Sequence, residues 1–269
     1  MSKMFLKLIS IIALVLLLIG VVGGILTFRS SNEVVSVAKT KEITNPDIKV
    51  LDVHIDNASV EIIPTKGNTT KIELKGKKSS SSKQELSTTV NGETLSVTLK
   101  DRQFKFFTLN VLAVPLSLKI YVPEKSYKSI KVECDNGKIK VADLQANDVY
   151  TKTDNGWITL ENIKSTETSV NSDNGMIVLK NVEGKLTGET NNGKITLKTK
   201  SLDRPIQLDS DNGIITVQTE TEPTNVTFDV HVDNGTVNIL DKYRNAAVIG
   251  KGENLIKLTT NNGRITITK

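Results

Sequence analysis

The residues of this 269-residue chain that could do chemistry are few and evenly spread: Asp135, Asp154, Asp173, Asp211 and Asp233 each stand directly before an Asn-Gly pair. Recurrent carboxylates could act in two ways. Paired across a cleft at about 5 to 9.5 Å, they would serve glycoside cleavage. Stacked on one another, they would repel and so favour a divalent cation. Neither reading gains support from its surroundings. All five occupy the same turn position, which a turn requirement alone produces, and Asn191 and Asn261 take that position in two repeats. The calcium nonapeptide Gly-Gly-x-Gly-x-Asp and an EF-hand loop are missing. The one cysteine, Cys134, has no histidine near it in sequence, His54 and His231 being the only two. It reads as a small residue at a corner rather than a nucleophile, and a single cysteine excludes an intramolecular disulfide. Phosphate-loop, zinc-spacing, Gly-x-Ser-x-Gly and His-Glu-x-x-His motifs do not occur. No catalytic, cofactor-binding or metal-binding residue is assigned, and the chain is read as a non-enzyme.

The elements that carry these aspartates are repeats. Seven times the chain writes Asp-Asn-Gly or Asn-Asn-Gly and then an alternating strand: CDNGKIKV, TDNGWITL, SDNGMIVL, TNNGKITL, SDNGIITV, VDNGTVNI and TNNGRITI. The pairs are Asn136-Gly137, Asn155-Gly156, Asn174-Gly175, Asn192-Gly193, Asn212-Gly213, Asn234-Gly235 and Asn262-Gly263, spaced by 19, 19, 18, 20, 22 and 28 residues. Glycine takes positive φ without steric cost and asparagine tolerates the left-handed region, so a sharp turn is expected before each strand. Ile139 with Val141, Ile158 with Leu160 and their counterparts alternate onto one buried face. A weaker apolar segment precedes each turn, as at Val149, Val170, Ile206 with Leu208, and Phe228 with Val230 and Val232. Two strand segments per coil are the simplest fit.

Asn-Gly between alternating strands is also a strong hairpin signal. Hairpins account for the turns but not for a near-constant period with the same strand always following. The pattern predicts an all-β fold, a β-solenoid or single-stranded β-helix of Asp-Asn-Gly-x-Ile-x-Leu coils. Successive coils would pair in parallel at about 4.8 Å, and the asparagines would form a ladder of amides. Asp56-Asn57 and Asn91-Gly92 resemble degenerate copies, so roughly nine coils are expected, irregular over residues 46–130 and regular over 131–269.

One transmembrane helix is expected in front of the solenoid. Leu8 to Phe28 is a 21-residue run without a charge, long enough to span a bilayer. Lys3 and Lys7 precede it and Arg29 follows, so residues 1–7 are expected in the cytoplasm and the remainder outside. This describes a single-pass cell-membrane protein with an extracytoplasmic C-terminal domain, carried on a polar, patternless stalk at residues 29–45. A cleaved signal peptide is the competing reading, given Gly20, Gly23 and Gly24, but the run exceeds the usual apolar core of such peptides and no Ala-x-Ala site follows.

Net charge is +5, and beyond Lys3, Lys7 and Arg29 the chain carries 32 basic against 30 acidic side chains. This balance offers no basic footprint for nucleic acid. The residue after each repeat glycine should point outward, giving the column Lys138, Trp157, Met176, Lys194, Ile214, Thr236 and Arg264. Trp157, Met176 and Ile214 would form a contact surface for a protein or a sugar ring, unless a loop or the stalk covers them. Lys100 to Val114, with Phe104, Phe106 and Phe107 beside Arg102 and Lys105, reads as a cap on an open solenoid end or as a membrane-interface stretch. Gly76 to Lys83 reads as a solvated loop.

The Lys-flanked span, the segment LSLKIYVPEKSYKSIKVECDNGKIKV and the repeated Asp-Asn-Gly-x-Ile-x-Leu strands together resemble the bacterial putative adhesin family, a domain of unknown function, and especially its LiaG-like membrane-anchored members from Gram-positive bacteria. The similarity covers most of the outer region. It implies a β-solenoid outside the membrane, encoded in some relatives beside cell-envelope stress regulators, and it brings no catalytic residues. The expectation is a noncatalytic rod that presents a rigid surface for cell-envelope interaction or adhesion. Its partners would be the membrane, through the helix, and envelope polymer or a membrane sensor protein. An accessory of envelope-stress signalling is the alternative, and a carbohydrate-active β-helix enzyme the third reading.

Overall fold

The structure is a computed structural model that describes residues 11–24, 34–79, 82–101 and 116–269. Thirteen strands in these residues form one continuous sheet, and most of it is a stack of coils. The repeating unit is seen in β8 (Gln145–Val182), whose 38 residues run through two coils without a break. Val149, Thr151 and Thr153 are buried, the alternation slips by one residue across 154–157, and Ile158 and Leu160 are buried again. The Asp-Asn-Gly triplet is therefore a corner inside one bent strand, not the sharp turn between two strands expected from its composition. Parallel neighbours satisfy the backbone on both sides of the corner, so nothing drives the chain to reverse, and a slip of one residue lets both arms face the core.

The register stacks like on like. β7 (Ser126–Ala142) lies parallel to β8 with Asn136 on Asn155, Gly137 on Gly156 and Ile139 on Ile158. β9 (Lys185–Thr199) follows on the second half of β8 with Asn192 on Asn174, and β10 (Ile206–Thr219) on β9 with Asn212 on Asn192. Below β7, β2 (Val50–Thr65) continues the stack with Asn57 beneath Asn136. The apolar residues after each corner, from Val60 and Ile62 through Ile265 and Ile267, join one contiguous buried core.

The stack departs from sequence order at its far end. β13 (Asn254–Thr268) lies parallel between β10 and β11 (Val226–Ile239), pairing Asn262 with Asn212 on one side and Asn234 on the other. The chain overshoots by one coil to make β11, turns back through β12 (Ala246–Ile249), which is antiparallel to β11, and then fills the vacant layer with its last strand. The wider spacing of the last two repeats is the length of this excursion. The asparagine column thus runs Asn57, Asn136, Asn155, Asn174, Asn192, Asn212, Asn262, Asn234, eight coils among the described residues rather than the nine expected.

Two devices hold this column. Each amide Nδ2 donates to the Oδ1 of the coil before it: Asn136 to Asn57 at 3.0 Å, Asn155 to Asn136 at 3.0 Å, Asn174 to Asn155 at 3.2 Å and Asn192 to Asn174 at 3.0 Å. The ladder continues from Asn212 to Asn192 at 3.1 Å, Asn262 to Asn212 at 2.9 Å and Asn234 to Asn262 at 3.1 Å. The glycines allow the approach. A Cβ on Gly156, Gly175, Gly193 or Gly213 would lie 1.8 Å from the carbonyl oxygen of the glycine in the preceding coil. Ala58, in the first coil, is the one member of the column with a Cβ.

Antiparallel strands close the N-terminal end. Asn91-Gly92 does not begin a coil: Gly92, at φ 57°, belongs to the two-residue turn between β4 (Gln84–Asn91) and β5 (Thr94–Asp101), a hairpin. The lower edge of β2 is shared, with β5 parallel to Val50–Ile55 and β6 (Ser117–Pro123) parallel to Ser59–Thr65. β3 (Thr70–Ser79) is antiparallel to β6, and β1 (Val34–Ile43) to β3. β1 takes most of the expected stalk, and β3 takes the first part of the expected Gly76–Lys83 loop. The aromatic stretch lies outside the described residues from 102 onward. Residues 11–24 form a helix with every residue exposed. No helix among the described residues is long and apolar enough to cross a membrane, and the two ends of the 8–28 run lie outside them.

The corner column generates a paired expectation. Asn174→Ala removes two ladder bonds and should lower stability by about 1–3 kcal/mol in urea unfolding followed by circular dichroism. Gly175→Ala sets a methyl against a backbone oxygen that cannot move away and should abolish the cooperative transition. A Gly175→Ala protein that unfolds at the wild-type midpoint would show that the coils are not this close.

Candidate interaction ridge

The residue after each corner glycine projects outward because the slip at the corner returns the next residue, an Ile or Val, to the core. Lys138, Trp157, Met176, Lys194 and Ile214 succeed one another on neighbouring coils. The intercalated last strand then places Arg264 beside Ile214 and moves Thr236 to the end of the column. Trp157 is 52% exposed and Ile214 43%, while Met176 is half-buried. No described loop covers them. The Lys138 Nζ stands 4.7 Å from the centre of the Trp157 ring. Cationic and apolar side chains are thus interleaved at the coil spacing of roughly 4.8 Å, and the three residues singled out from sequence share one ridge, with Lys194 between Met176 and Ile214.

The asparagine ladder runs along one flank of this ridge and the acidic column beyond it. In coil order that column is Asp56, Asp135, Asp154, Asp173, Asn191, Asp211, Asn261 and Asp233. Asn261, the last of these residues in sequence, lies inside the column, where it separates Asp211 from Asp233 and donates to Asp211 Oδ1 at 3.4 Å. Several of these acids have a cationic or basic neighbour two residues earlier on the same face: Lys152 lies 3.7 Å from Asp154 and His231 2.7 Å from Asp233. Asp135 instead has Glu133 in that place. Burial, then the charge of Asp56, pushes its carboxyl above the ordinary value, with Asp154 and Glu133 adding to the effect and His54 opposing it. Among the described residues no group of three His, Cys, Asp or Glu side chains is placed to hold a metal. Cys134 is buried, and that burial pushes its thiol up to about 11, so it stays protonated and unreactive at neutral pH.

A family model, Toastrack DUF4097, matches residues 48–183 and again 143–268. The chain belongs to the Toastrack DUF4097 family. The first Toastrack match begins just before β2 and so includes the coil of Asn57 and Ala58, while the second carries the pattern through the intercalated strand. Among solved structures, the chain is similar to a putative cell adhesion protein from Clostridium sporogenes (12% identity, 87% of this chain and 99% of that one, TM-score 0.43). It is also similar to a putative adhesin from Bacteroides fragilis (10% identity, 88% and 98%, TM-score 0.45), and to a putative lipid binding protein from Parabacteroides distasonis (13% identity, 86% and 97%, TM-score 0.44). No curated protein matches it.

This Toastrack stack also has a second ladder that sequence reasoning missed. Asp143, Asn162 and Asn181 have positive φ of 56°, 53° and 50°, the left-handed turn chemistry that had been expected at the Asn-Gly pairs. The Asn162 Nδ2 donates to Asp143 Oδ1 at 2.8 Å and the Asn181 Nδ2 to Asn162 Oδ1 at 3.1 Å. The available signal was their common spacing of 19 residues, each before a buried Leu144, Ile163 or Val182.

The raised Asp135 carboxyl predicts a pH-dependent substitution effect. Its charge disfavours the fold above the ordinary aspartate value, and that penalty disappears as pH falls and the proton binds. Asp135→Asn should therefore raise the thermal midpoint at about pH 7 and give no gain at about pH 2.5. A variant no more stable than wild type at neutral pH would show that neither burial nor the neighbouring acids disfavour the Asp135 charge in the fold.

Proposed function

We propose that this protein is a membrane-anchored extracytoplasmic rod that binds cell-envelope polymer through the ridge centred on Trp157, without catalysing a reaction. The observation that carries the binding surface is the exposed indole with the Lys138 ammonium over its ring, continued along the stack by Met176, Lys194, Ile214 and Arg264. An aromatic face suits a sugar ring and a cation suits an anionic substituent, so a column of both matches a charged, repeating glycan or polyol chain better than a compact solute. The rod supports the ridge because neighbouring coils fix its residues on strands rather than on loops.

The anchor is supported by different physics. Ile11, Leu14, Leu16, Leu17, Leu18 and Ile19 are each more than half exposed on the helix of residues 11–24. A helix apolar on all sides is stable in lipid, where each backbone group is bonded within the segment and each side chain meets acyl chains. The uncharged run from 8 to 28 matches the bilayer in length, and Lys3 and Lys7 set its orientation.

The test uses the full-length protein. In intact protoplasts, protease added outside should digest the β-stack; complete protection would overturn the orientation. Purified, detergent-solubilised protein should sediment with isolated envelope polymer, and Trp157→Ala should weaken this at least tenfold while leaving the unfolding transition in place. Wild-type levels of sedimentation by Trp157→Ala would remove the ridge from the reading. Failure of the wild-type protein to sediment, together with in-membrane crosslinking to a sensor kinase, would replace the polymer-binding rod with a signalling accessory.

A further inference from the structure

The second ladder stops abruptly, and it leaves a cavity where it stops. The core residues just after the ladder position are Leu144, Ile163, Val182 and Leu202, each at most 4% exposed. The first three are 19 residues apart and the last interval is 20. Lys198 pairs with Lys180, yet Leu202 follows Lys198 by four residues where Val182 follows Lys180 by two, and these two added residues displace the chain at Lys200 and Ser201, so no asparagine stacks on Asn181. Beside this break lies a cavity of about 300 Å³ whose lining includes Asn181, Lys164, Glu183, Lys200, Ser201 and Arg204.

Its electrostatics are one-sided. Lys164, Lys200 and Arg204 face a single carboxylate, that of Glu183. Among the described residues neither lysine makes an ion pair, whereas Lys180 and Lys185 nearby are paired with Glu161 and Glu167. Arg204 Nη1 donates to the carbonyl oxygen of Gly184. Its Nη2 is buried and has no hydrogen-bond partner. An unpaired buried guanidinium nitrogen is costly, and an anion supplies the missing acceptor. Burial lowers the guanidinium to about 10, opposed by Glu183, so it keeps its charge at neutral pH.

The wall is also braced before any ligand arrives. Asp203, beside Arg204, accepts from the backbone amides of Thr224 and Asn225 at 2.9 Å each and from the Thr224 hydroxyl at 2.9 Å. These bonds tie the displaced loop to the next one, and the Arg204 contact with Gly184 ties it to the preceding coil. A site held in this way loses little freedom on binding.

We propose that this cavity is a binding site for a phosphate-type oxyanion, with Arg204 supplying directional hydrogen bonds and Lys164 and Lys200 supplying charge. A guanidinium fork with flanking ammonium groups suits a tetrahedral anion. The cavity has room for a substituent on it, so the anion can be free, part of a phosphodiester polymer or a lipid headgroup. The site does not depend on the ridge, which lies at the other corner of the coil.

The test is ³¹P line broadening of inorganic phosphate titrated with the full-length protein in a zwitterionic detergent. Saturable broadening is expected, with at least tenfold weakening in Lys164→Gln/Lys200→Gln, whose exposed positions leave the fold intact, and a comparable loss in Arg204→Gln. Trp157→Ala should bind phosphate as wild type does, which keeps a failure of the ridge separate from a failure here. Displacement of phosphate by poly(glycerol phosphate) would identify a polymer source. Displacement by phosphatidylglycerol but not phosphatidylcholine vesicles would identify a headgroup, and displacement by neither a free anion. No saturable broadening with wild type, or equal broadening with the double lysine variant, would overturn the proposal.

Discussion

The whole stack depends on the absence of one Cβ per coil. At the corner, the backbone of each coil passes so close to the next that the carbonyl of one glycine occupies the place a methyl group would take on its neighbour. Only this contact brings consecutive asparagine side chains within hydrogen-bond distance and keeps both arms of the coil in register. The two features are coupled: glycine without asparagine would leave exposed corners without lateral bonds, and asparagine without glycine could not come close enough to make them. Individually each amide bond is worth only about 0.5–1.5 kcal/mol. Their collective effect is to fix register, because a slip of one residue would break every rung and turn the Ile column outward.

The ladder has a direction as well. Every Nδ2 points toward the β2 end, so the Asn57 amide nitrogen stands at one terminus and the Asn234 oxygen at the other. The same repeat gives a rigid column on the outside for whatever residue follows the glycine, and here lies the freedom of the design. The ladder positions tolerate almost nothing, whereas Lys138, Trp157, Met176, Lys194, Ile214 and Arg264 vary without cost to the corner. A surface of selectable chemistry is thereby carried on a fixed frame, which is the physical basis for proposing interaction at the ridge and not at the aspartates, whose stacking simply follows from the corner.

How much of this was legible follows from what repeats. Asn136 to Asn262, the glycines beside them and the alternating Ile and Leu positions are local and periodic, so the solenoid and its columns could be read directly. Topology was less accessible. Nothing in TNNGRITI distinguishes a terminal coil from one inserted between β10 and β11; only the 28-residue interval before Gly263 hinted at an excursion. Asn91-Gly92 looked like a repeat because hairpin turns and solenoid corners draw on the same dipeptide, and the partner strand Gln84–Asn91 decides between them. The Trp157 ridge was visible as a column, but its order was not, since Arg264 comes between Ile214 and Thr236 only through the intercalation. The cationic cavity was invisible because it is made by a break in period: two added residues near Lys200, which sequence reading treats as noise, are what open it.

That intercalation also bears on how the far end of the stack is held. A solenoid stacked in sequence order would leave β13 with one neighbour and an open edge, ready to fray or to pair with another chain. Here β13 has parallel partners on both sides from Ile256 to Ile267, which makes it one of the best-held strands of the stack. The exposed edge falls instead to β11, and there the chain covers Val226–Asp229 with β12 and bonds Ile239 back to Tyr243. The cost is kinetic: β11 must wait beside a vacant layer until residues far later in the chain arrive, and such long-range parallel pairing is slow. What is gained is resistance to unzipping, because β13 cannot leave the stack without breaking its pairing on both sides.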